Sequence, residues 1–361
     1  MIGITLSSYF FRRYTATIIR FSITILALVF IVDFTEVSRR SGSNEFVSLL
    51  DILYMSALRL PNIVQLAMPF IILFASISVL MALNRRHELV IARSVGVSAW
   101  QFLTPMVLAS LLTGIVTVVA INPLAALALQ KSQDLEVAFG IGNQNGSNET
   151  PPFLRQTNDA GTTIISARSI GSTGGILGNA TFLQLDGNGF LQTRLEAVHV
   201  TLRDGHWHLS DVSRHRAGHP PELLDSLDIP TNLTSEFVAE TFTSPEAVPF
   251  FELGDKMQTA RAFGFGVNAL AMQWHALVAL PLLLAAMTLI AAMVTLRFIR
   301  FGQSVTIILS GILAGFMLYV VSVLIKAFGT AGIVPPVVAA WLPVVIATAL
   351  GISVLLHKED G

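Results

Sequence analysis

The sequence contains no cysteine. A disulfide, a zinc–thiolate site, an iron–sulfur cluster and a cysteine nucleophile are therefore all excluded. Charged residues are also scarce, at 12% of the chain against the roughly 25% that is usual in soluble domains. The net charge of −1 provides no basic field, so no nucleic-acid partner is predicted. With 53% hydrophobic residues and a mean hydropathy of +0.68, the composition excludes an ordinary soluble enzyme and a disordered chain.

The charges that are present concentrate in one segment. Residues 131–261 contain nine Lys/Arg and sixteen Asp/Glu, whereas the rest of the chain contains thirteen and seven. A segment of this length is large enough for a core of its own. We therefore predict three parts: a first transmembrane half at 1–130, an acidic insert at 131–261 and a second transmembrane half at 262–361.

Long apolar runs outside the insert predict transmembrane helices, each of which needs about 20 mostly apolar residues. Six segments qualify: 14–36, 57–83, 101–124, 272–296, 304–326 and 335–356. No small-residue cleavage site follows the first run, which predicts an uncleaved span. Short loops on the N-terminal side hold eight Lys/Arg and those on the other side four, which predicts that both termini are cytoplasmic and that the insert lies outside.

The insert is predicted to be all-β. Residues 197–202 alternate between apolar and polar side chains, and Asp204-Gly205 is a strong hairpin signal before a second strand at 207–212. Segments 163–168, 181–185 and 190–195 are further strand candidates. Regularly spaced short strands favour a sandwich or jelly roll. The predicted fold is an α-helical membrane protein with six transmembrane helices and an inserted, jelly-roll-like all-β domain.

Charged residues in the first predicted span conflict with a simple crossing. Arg20 and Asp33 are 13 residues apart, about 20 Å along a helix, whereas the hydrocarbon layer is about 30 Å thick. Arg20 is long enough to reach the interface, but a carboxylate is short. Asp33, Glu36 and Arg40 share one helix face, and Arg39 is adjacent. Either this group lines a substrate path, or the helix ends in water with a solvated charged turn.

The loop between the second and third spans, residues 84–98, is predicted to contain a short amphipathic helix. Leu89, Ala92 and Val95 share one face, and Gly96 is a natural helix stop. One interpretation is a helix that lies on anionic lipid. The other is a coupling helix that inserts into a groove of a cytoplasmic partner, where Glu88 meets a basic residue. The pattern alone leaves both open.

Other motifs carry less information. Gly311 and Gly315 form a Gly-x-x-x-Gly motif in the fifth span, which predicts a close helix contact without identifying the other helix. The histidines between 206 and 219 are conceivable metal ligands, but no ordering motif surrounds them, and a polar strand face is favoured over a metal site. No Walker A motif occurs, so we predict no bound cofactor in this chain.

The arrangement of three spans, a β-rich insert and three spans resembles the lipopolysaccharide-export permeases LptF and LptG. The most specific part is the segment from Glu88 to Ser98, Glu-Leu-Val-Ile-Ala-Arg-Ser-Val-Gly-Val-Ser. Residues 252–265, Trp274 with Leu280-Pro281, and 310–319 are also similar to the family. Residues 32–42 and 355–361 resemble LptG more than LptF.

The resemblance implies a multi-pass protein of a Gram-negative inner membrane, with its β domain in the periplasm. It implies pairing with an LptF-like permease above an LptB-like ATPase dimer, which binds the ATP. A cavity between the permeases, with lateral gates at spans 1 and 5, would take lipopolysaccharide and pass it through the β domains and an LptC-like protein to a bridge. Glu88 matches the coupling-helix carboxylate, and Arg39 and Arg40 match phosphate-binding residues. Asp33 departs from the family, because some members carry lysine near there.

Two other functions stay open at this point. One is an ABC permease of another type, such as a lipoprotein-release or mechanotransmission subunit, but those usually have four spans. The other is a membrane enzyme that acts on lipid-linked sugars. It would need acidic or histidine residues clustered at span ends, where this chain offers only Asp33 and Glu36. The prediction is a transport subunit whose ATP hydrolysis is supplied by a separate protein.

Overall fold

A computed structural model shows a helical bundle that carries a β-sheet insert. The structure describes residues 4–41, 47–94, 96–139, 153–158, 161–170, 175–186, 190–203, 205–216, 220–231, 233, 238, 244–262, 266–295 and 305–359.

The first half of the chain contains five α-helices. They are α1 Ile4–Ser41, α2 Leu49–Arg85, α3 Glu88–Ser94, α4 Ala99–Val116 and α5 Asn122–Ala138. A π-helical turn, Thr117–Ile121, joins α4 to α5 in one long rod. Pro123 follows this turn and has no N–H with which to continue the α-helical pattern, which explains the local widening.

Four helices follow the insert: α6 Leu253–Ala262, α7 Asn268–Thr295, α8 Val305–Thr330 and α9 Pro336–Glu359. Six helical segments among the described residues are long and apolar enough to cross a membrane, which confirms the predicted six spans. The helices α2 and α4 begin with capping boxes at Ser48 and Ser98, where side chains satisfy the first free backbone N–H groups.

The bundle core forms around α2, α4 and α7, whereas α1 is poorly covered. Only 6% of the most apolar window of α1 is buried, against 67% for α7. Phe10, Tyr14 and Ile18 are buried near one end of α1, and Val37 is buried near the other. Between them, apolar side chains such as Ile23 are exposed, so α1 is attached to the bundle at its two ends.

A buried cluster of hydroxyl groups joins four helices near the N-terminal end of α1. The Tyr14 hydroxyl lies 2.7 Å from Ser76 Oγ, 2.9 Å from Ser110 Oγ and 3.0 Å from Thr288 Oγ1. All four residues have 0% exposure. Ser76, Ser110 and Thr288 also donate to carbonyls of their own helices. The Tyr14 hydroxyl has no such carbonyl, so inside hydrocarbon it depends on these three groups. The cluster thus fixes α1 to α2, α4 and α7.

The insert forms one antiparallel sheet in the described residues. Its six strands, in order β1 to β6, are Phe153–Asn158, Gly161–Ile170, Ile176–Leu185, Leu191–Arg203, His206–Arg216 and Glu222–Pro230. The β character of the insert is confirmed from β1 to β6, whereas the helices α5 and α6 extend into the two ends of the predicted segment 131–261. Its strands pair in sequence order as a meander, whereas a jelly roll has Greek-key order. The reason is that successive strands are joined as hairpins, including the predicted turn at Gly205, which has φ of 77°.

One predicted break in the sheet is absent. Segments 190–195 and 197–202 were expected as separate strands, but they form the single strand β4. A kink takes the place of the break: Asn179 in β3 and Asp211 in β5 have positive φ, which Asn and Asp tolerate. At this kink the alternation of buried and exposed residues in β5 shifts by one position, so that the buried residue after Leu209 is Val212 and not Asp211. Both halves of the bent sheet therefore face one core, centred on Trp207.

We predict that Tyr14→Phe destabilises the bundle by about 1 kcal/mol, because three buried hydroxyls lose a shared partner and keep only their bonds to one another and to carbonyls of their own helices. The melting temperature of the full chain in mild detergent measures this loss. Tyr54→Phe, at a half-exposed position of α2, is the matched control and should leave the melting temperature unchanged. Equal melting temperatures for the two variants would contradict the structural role of the cluster.

Coupling helix and candidate substrate path

The predicted coupling segment contains a helix of seven residues, Glu88–Ser94, bracketed by two turns. His87 precedes it with φ of 58°, and Gly96 follows it with φ of 84°. A positive φ at Gly96 stops the helix without steric cost, as the sequence predicted. The structure thus holds the segment as a separate short helix between α2 and α4.

Glu88 forms an ion pair with α1. Arg13 Nη1 donates hydrogen bonds to Glu88 Oε1 at 3.0 Å and to Oε2 at 3.2 Å. The Tyr9 hydroxyl donates to Glu88 Oε2 at 3.2 Å, and Arg13 also contacts that hydroxyl. One of the two interpretations placed Glu88 against a basic residue of a partner, whereas in the structure the basic residue is Arg13 of the chain itself. The pair connects α3 directly to α1.

The face assigned to a partner is divided. Leu89 is 5% exposed and belongs to the core of the bundle, so it contacts this chain itself. On the same short helix, Ile91 is 61% exposed. The side chain of Ala92, and Val95 altogether, lie outside the described residues. A role for Glu88, Leu89, Ala92 and Val95 in partner binding therefore stays a prediction, with Ile91 as an added surface residue.

At the opposite end of α1, Glu36 pairs with both Arg39 and Arg40. Its carboxylate accepts hydrogen bonds from Arg39 Nη2 at 2.8 Å and from Arg40 Nε at 2.8 Å. The Arg39 side chain is 65% exposed and that of Arg40 only 13%. Arg39 is therefore the more accessible of the two arginines. A phosphate that binds there would compete with the Glu36 carboxylate for the guanidinium group.

Asp33 points into the chain. It is 9% exposed, and its Oδ1 lies 3.5 Å from Arg59 Nη1 on α2, which is also 3.7 Å from Glu136 Oε1 on α5. Sequence analysis placed Asp33 on the same face as Glu36 and Arg40, but its side chain meets α2 and not a solvated turn. Arg59 and Glu136 were overlooked, although an arginine inside an apolar helix signals that an anion lies nearby. Contact of Asp33, Glu36, Arg39 and Arg40 with substrate stays a prediction.

Gly315 lies at a close contact between α8 and α2. A Cβ at this position would come within 2.2 Å of Leu73 Cδ2, so only glycine fits without a shift. Gly315 is thus in tight contact within its own chain, which is one form of the helix packing that the motif predicted. The surroundings of Gly311 lie outside the described residues.

The return segment from the sheet to α7 is anchored inside the bundle. Asn122, 1% exposed and directly after the π-helical turn, accepts a hydrogen bond from the Phe250 N–H at 2.8 Å and donates to Gln65 Oε1 at 3.2 Å. Gln130 Nε2 donates to the Ala247 carbonyl at 2.7 Å. Sequence analysis overlooked this connection, for which Asn122-Pro123 within an apolar run is the available signal.

The histidines of the insert have ordinary roles where the structure describes them. His208 Nδ1 lies 2.6 Å from Asp228 Oδ1 on the neighbouring strand, and this hydrogen bond holds the pKa of Asp228 below its usual range. Within the described residues, no group of three or more His, Asp or Glu side chains is arranged to hold a metal ion.

We predict that Arg59→Met destabilises the chain by about 2 kcal/mol, because two shielded carboxylates lose their cation. Asp33→Asn in the same chain should recover part of that loss, since it removes one of the stranded charges. Arg39→Met, which breaks an exposed pair, should cost less than about 1 kcal/mol. Thermal unfolding of the three variants in detergent is the measurement, and an Arg59→Met variant as stable as Arg39→Met would refute the pairing.

One family model matches almost the whole sequence of the chain. The model is described as lipopolysaccharide export system permease LptF/LptG, and it matches residues 8–357 of the 361 residues. A comparison with curated proteins found no match. The family match does not distinguish LptF from LptG, and the resemblance to LptG stays a prediction. Because the match covers both membrane halves and the insert, the chain belongs to the LptF/LptG family, the multi-pass inner-membrane permeases of the lipopolysaccharide export system.

Proposed function

We propose that the chain is the LptG-type permease of an ABC transporter that extracts lipopolysaccharide from the inner membrane. In this proposal it pairs with an LptF-like permease, an LptB-like ATPase dimer binds beneath the pair, and the β sheet delivers the lipid to an LptC-like bridge protein. The ATP is bound by the ATPase, since this sequence lacks a Walker A motif. Family membership supports the transport role. The contacts of α1 support separate roles for its two ends, coupling to the ATPase at one end and binding of lipid phosphates at the other.

The Arg13–Glu88 ion pair is the observation that carries the proposal. The pair joins α3, the proposed coupling helix, to α1. The middle of α1 is exposed, and its far end carries the exposed Arg39 side chain. A displacement of the coupling helix would therefore act directly on α1. The Tyr14 cluster, one residue away from Arg13, gives that motion a fixed pivot in the bundle.

At the far end of α1, the arginines are the proposed binding groups for lipid phosphates. Glu36 pairs with both guanidinium groups. Carboxylate and phosphate both accept charge-assisted, bidentate hydrogen bonds from arginine, so the two can compete for it. Exchange of Glu36 for phosphate on the exposed Arg39 would keep capture reversible, as a pump requires.

We predict that Glu88→Lys lowers recovery of the ATPase with the purified permease about tenfold or more, because it places like charge against a basic groove. Arg13→Met should retain the ATPase and instead lower the stimulation of ATP hydrolysis by lipopolysaccharide several-fold. Arg12→Met, exposed in the same helical turn, is the matched control. Co-purification in mild detergent followed by hydrolysis assays gives both readouts.

Two outcomes would count against the proposal. Normal ATPase recovery and normal stimulated hydrolysis with Glu88→Lys would remove the coupling role of the helix. Loss of ATPase recovery with Arg13→Met would show that the ion pair supports docking and does not transmit motion.

The orientation is testable because the chain contains no cysteine, so any introduced thiol is unique. We predict that Asp225→Cys, exposed on β6, reacts with a membrane-impermeant maleimide from the periplasmic side of the inner membrane. Arg86→Cys, exposed after α2, should react only after that membrane is permeabilised. Labelling in the reverse order would overturn the proposed topology.

A further inference from the structure

A cleft of about 320 Å³ lies between α2, α7, α8 and α9. Its walls are mostly apolar and include Leu66, Leu277, Leu280, Leu283, Pro343 and Val344. A volume at the lower end of the usual range for ligand sites, with apolar walls and few polar groups, is typical of a pocket for a small apolar moiety. None of its lining residues comes from α1, so the cleft does not include Asp33, Glu36, Arg39 or Arg40.

The depth of the cleft matches one leaflet of a bilayer. Along α7 its lining runs from Met272 to Leu283, eleven residues further on or about 17 Å of helix. The hydrocarbon layer is about 30 Å thick, so this length is close to that of one leaflet. Glu246, in the segment that returns from the sheet, lines the shallow end, which therefore opens on the side of the β domain.

Charged and polar groups collect at that shallow end. Lys326 Nζ donates a hydrogen bond to Gln273 Oε1 at 3.2 Å and lies 4.0 Å from Glu246 Oε1. The side chains of Lys326 and Glu246 are 32% and 45% exposed. Their contact is at the outer limit of an ion pair, so the cation and the anion are adjacent and both are accessible from the membrane surface.

We propose that this cleft holds one acyl chain of a resident glycerophospholipid whose headgroup carries both a phosphate and a primary ammonium group. The phosphate pairs with Lys326, the ammonium group pairs with Glu246, and the acyl chain fills the apolar walls down to Leu283. A zwitterionic headgroup complements an adjacent cation and anion, whereas a purely anionic one would meet Glu246 as well as Lys326. The site thus differs from a site for lipopolysaccharide, which carries several acyl chains and phosphates.

The bound lipid would fasten α8 to the bundle. Only 11% of the most apolar window of α8 is buried, and its contact with α2 at Gly315 lies below the cleft. Tyr319, Ser322 and Lys326 of α8 all line the cleft, so an acyl chain there would join α8 to α7 and α9. The lipid is a structural component of the subunit and is not transported.

Native mass spectrometry of the full chain in mild detergent tests the proposal with two probes that share their acyl chains. Dioleoyl phosphatidylethanolamine has the ammonium group, and dioleoyl phosphatidylglycerol lacks it. The wild type should retain one phosphatidylethanolamine in preference to phosphatidylglycerol. Lys326→Gln should lower retention of both about tenfold, since a charge-assisted hydrogen bond contributes at least that factor. Glu246→Gln should reduce phosphatidylethanolamine to the level of phosphatidylglycerol.

Two matched controls separate the cleft from the general lipid-facing surface. Lys131→Gln removes an exposed lysine elsewhere and should leave retention unchanged. Ala276→Phe fills the cleft and should abolish retention, whereas Val345→Phe adds the same ring to an exposed face of α9 and should not. Each variant is first shown to be monodisperse, and Lys326→Gln provides the test if Ala276→Phe is not.

Three results would overturn the proposal. They are a wild type that retains neither phospholipid, equal retention by Ala276→Phe and Val345→Phe, and a mass of lipopolysaccharide that Ala276→Phe or Lys326→Gln removes. The last result would assign the cleft to the substrate. None of these results bears on ATPase recovery with Glu88→Lys, so the lipid site and the transport proposal can fail independently.

Discussion

The need to satisfy polar groups inside hydrocarbon determines how the first span is held. The middle of α1 has little apolar contact with the bundle, and apolar contact alone would not hold the helix, because lipid tails are as apolar as its own side chains. Its specific attachments are polar. Tyr14 and Arg13 fix one end, through the hydroxyl cluster and through Glu88, and Asp33 fixes the other through Arg59. Between these anchors the helix presents a bare surface to lipid or to a second permease.

The same constraint links the membrane bundle to the β sheet. Asn122 lies in the interior of the bundle, where an unpaired amide would cost free energy, and its partners are Gln65 on α2 and the backbone of Phe250. The π-helical turn before it marks the point where a regular helix would misplace this side chain. A shift of α2 relative to α5 therefore reaches the segment that leads back from the sheet. The hydrogen bonds of Asn122 therefore connect the membrane bundle to the segment that leads back from the sheet.

Features that depend on length and local chemistry could be predicted from the sequence. The six spans could be predicted because each apolar run is long enough to cross the hydrocarbon layer. The helix stop at Gly96 and the turn at Gly205 could be predicted because glycine readily adopts a positive φ. The alternation of apolar and polar residues indicated the β strands of the insert. Features that depend on three-dimensional partners could not. The helical spacing of Asp33 relative to Glu36 and Arg40 could be read from the sequence. The sequence does not show that Arg59 of α2 and Glu136 of α5 pack beside Asp33. The shift in alternation at Asp211 likewise requires the pairing of neighbouring strands.

An amphipathic pattern also cannot say which neighbour an apolar face meets. The face of α3 that contains Leu89 was assigned to an external partner, yet Leu89 lies in the core of its own bundle. The same ambiguity applies to α8, where Gly315 is already occupied by Leu73 of this chain. A second permease that packs on α8 must therefore use other positions. Leu313, Met317 and Leu324 are about half exposed, and they provide a larger and less specific surface than a glycine contact does. Apolar area of this kind does not by itself select a partner within a bilayer, because lipid tails are equally apolar.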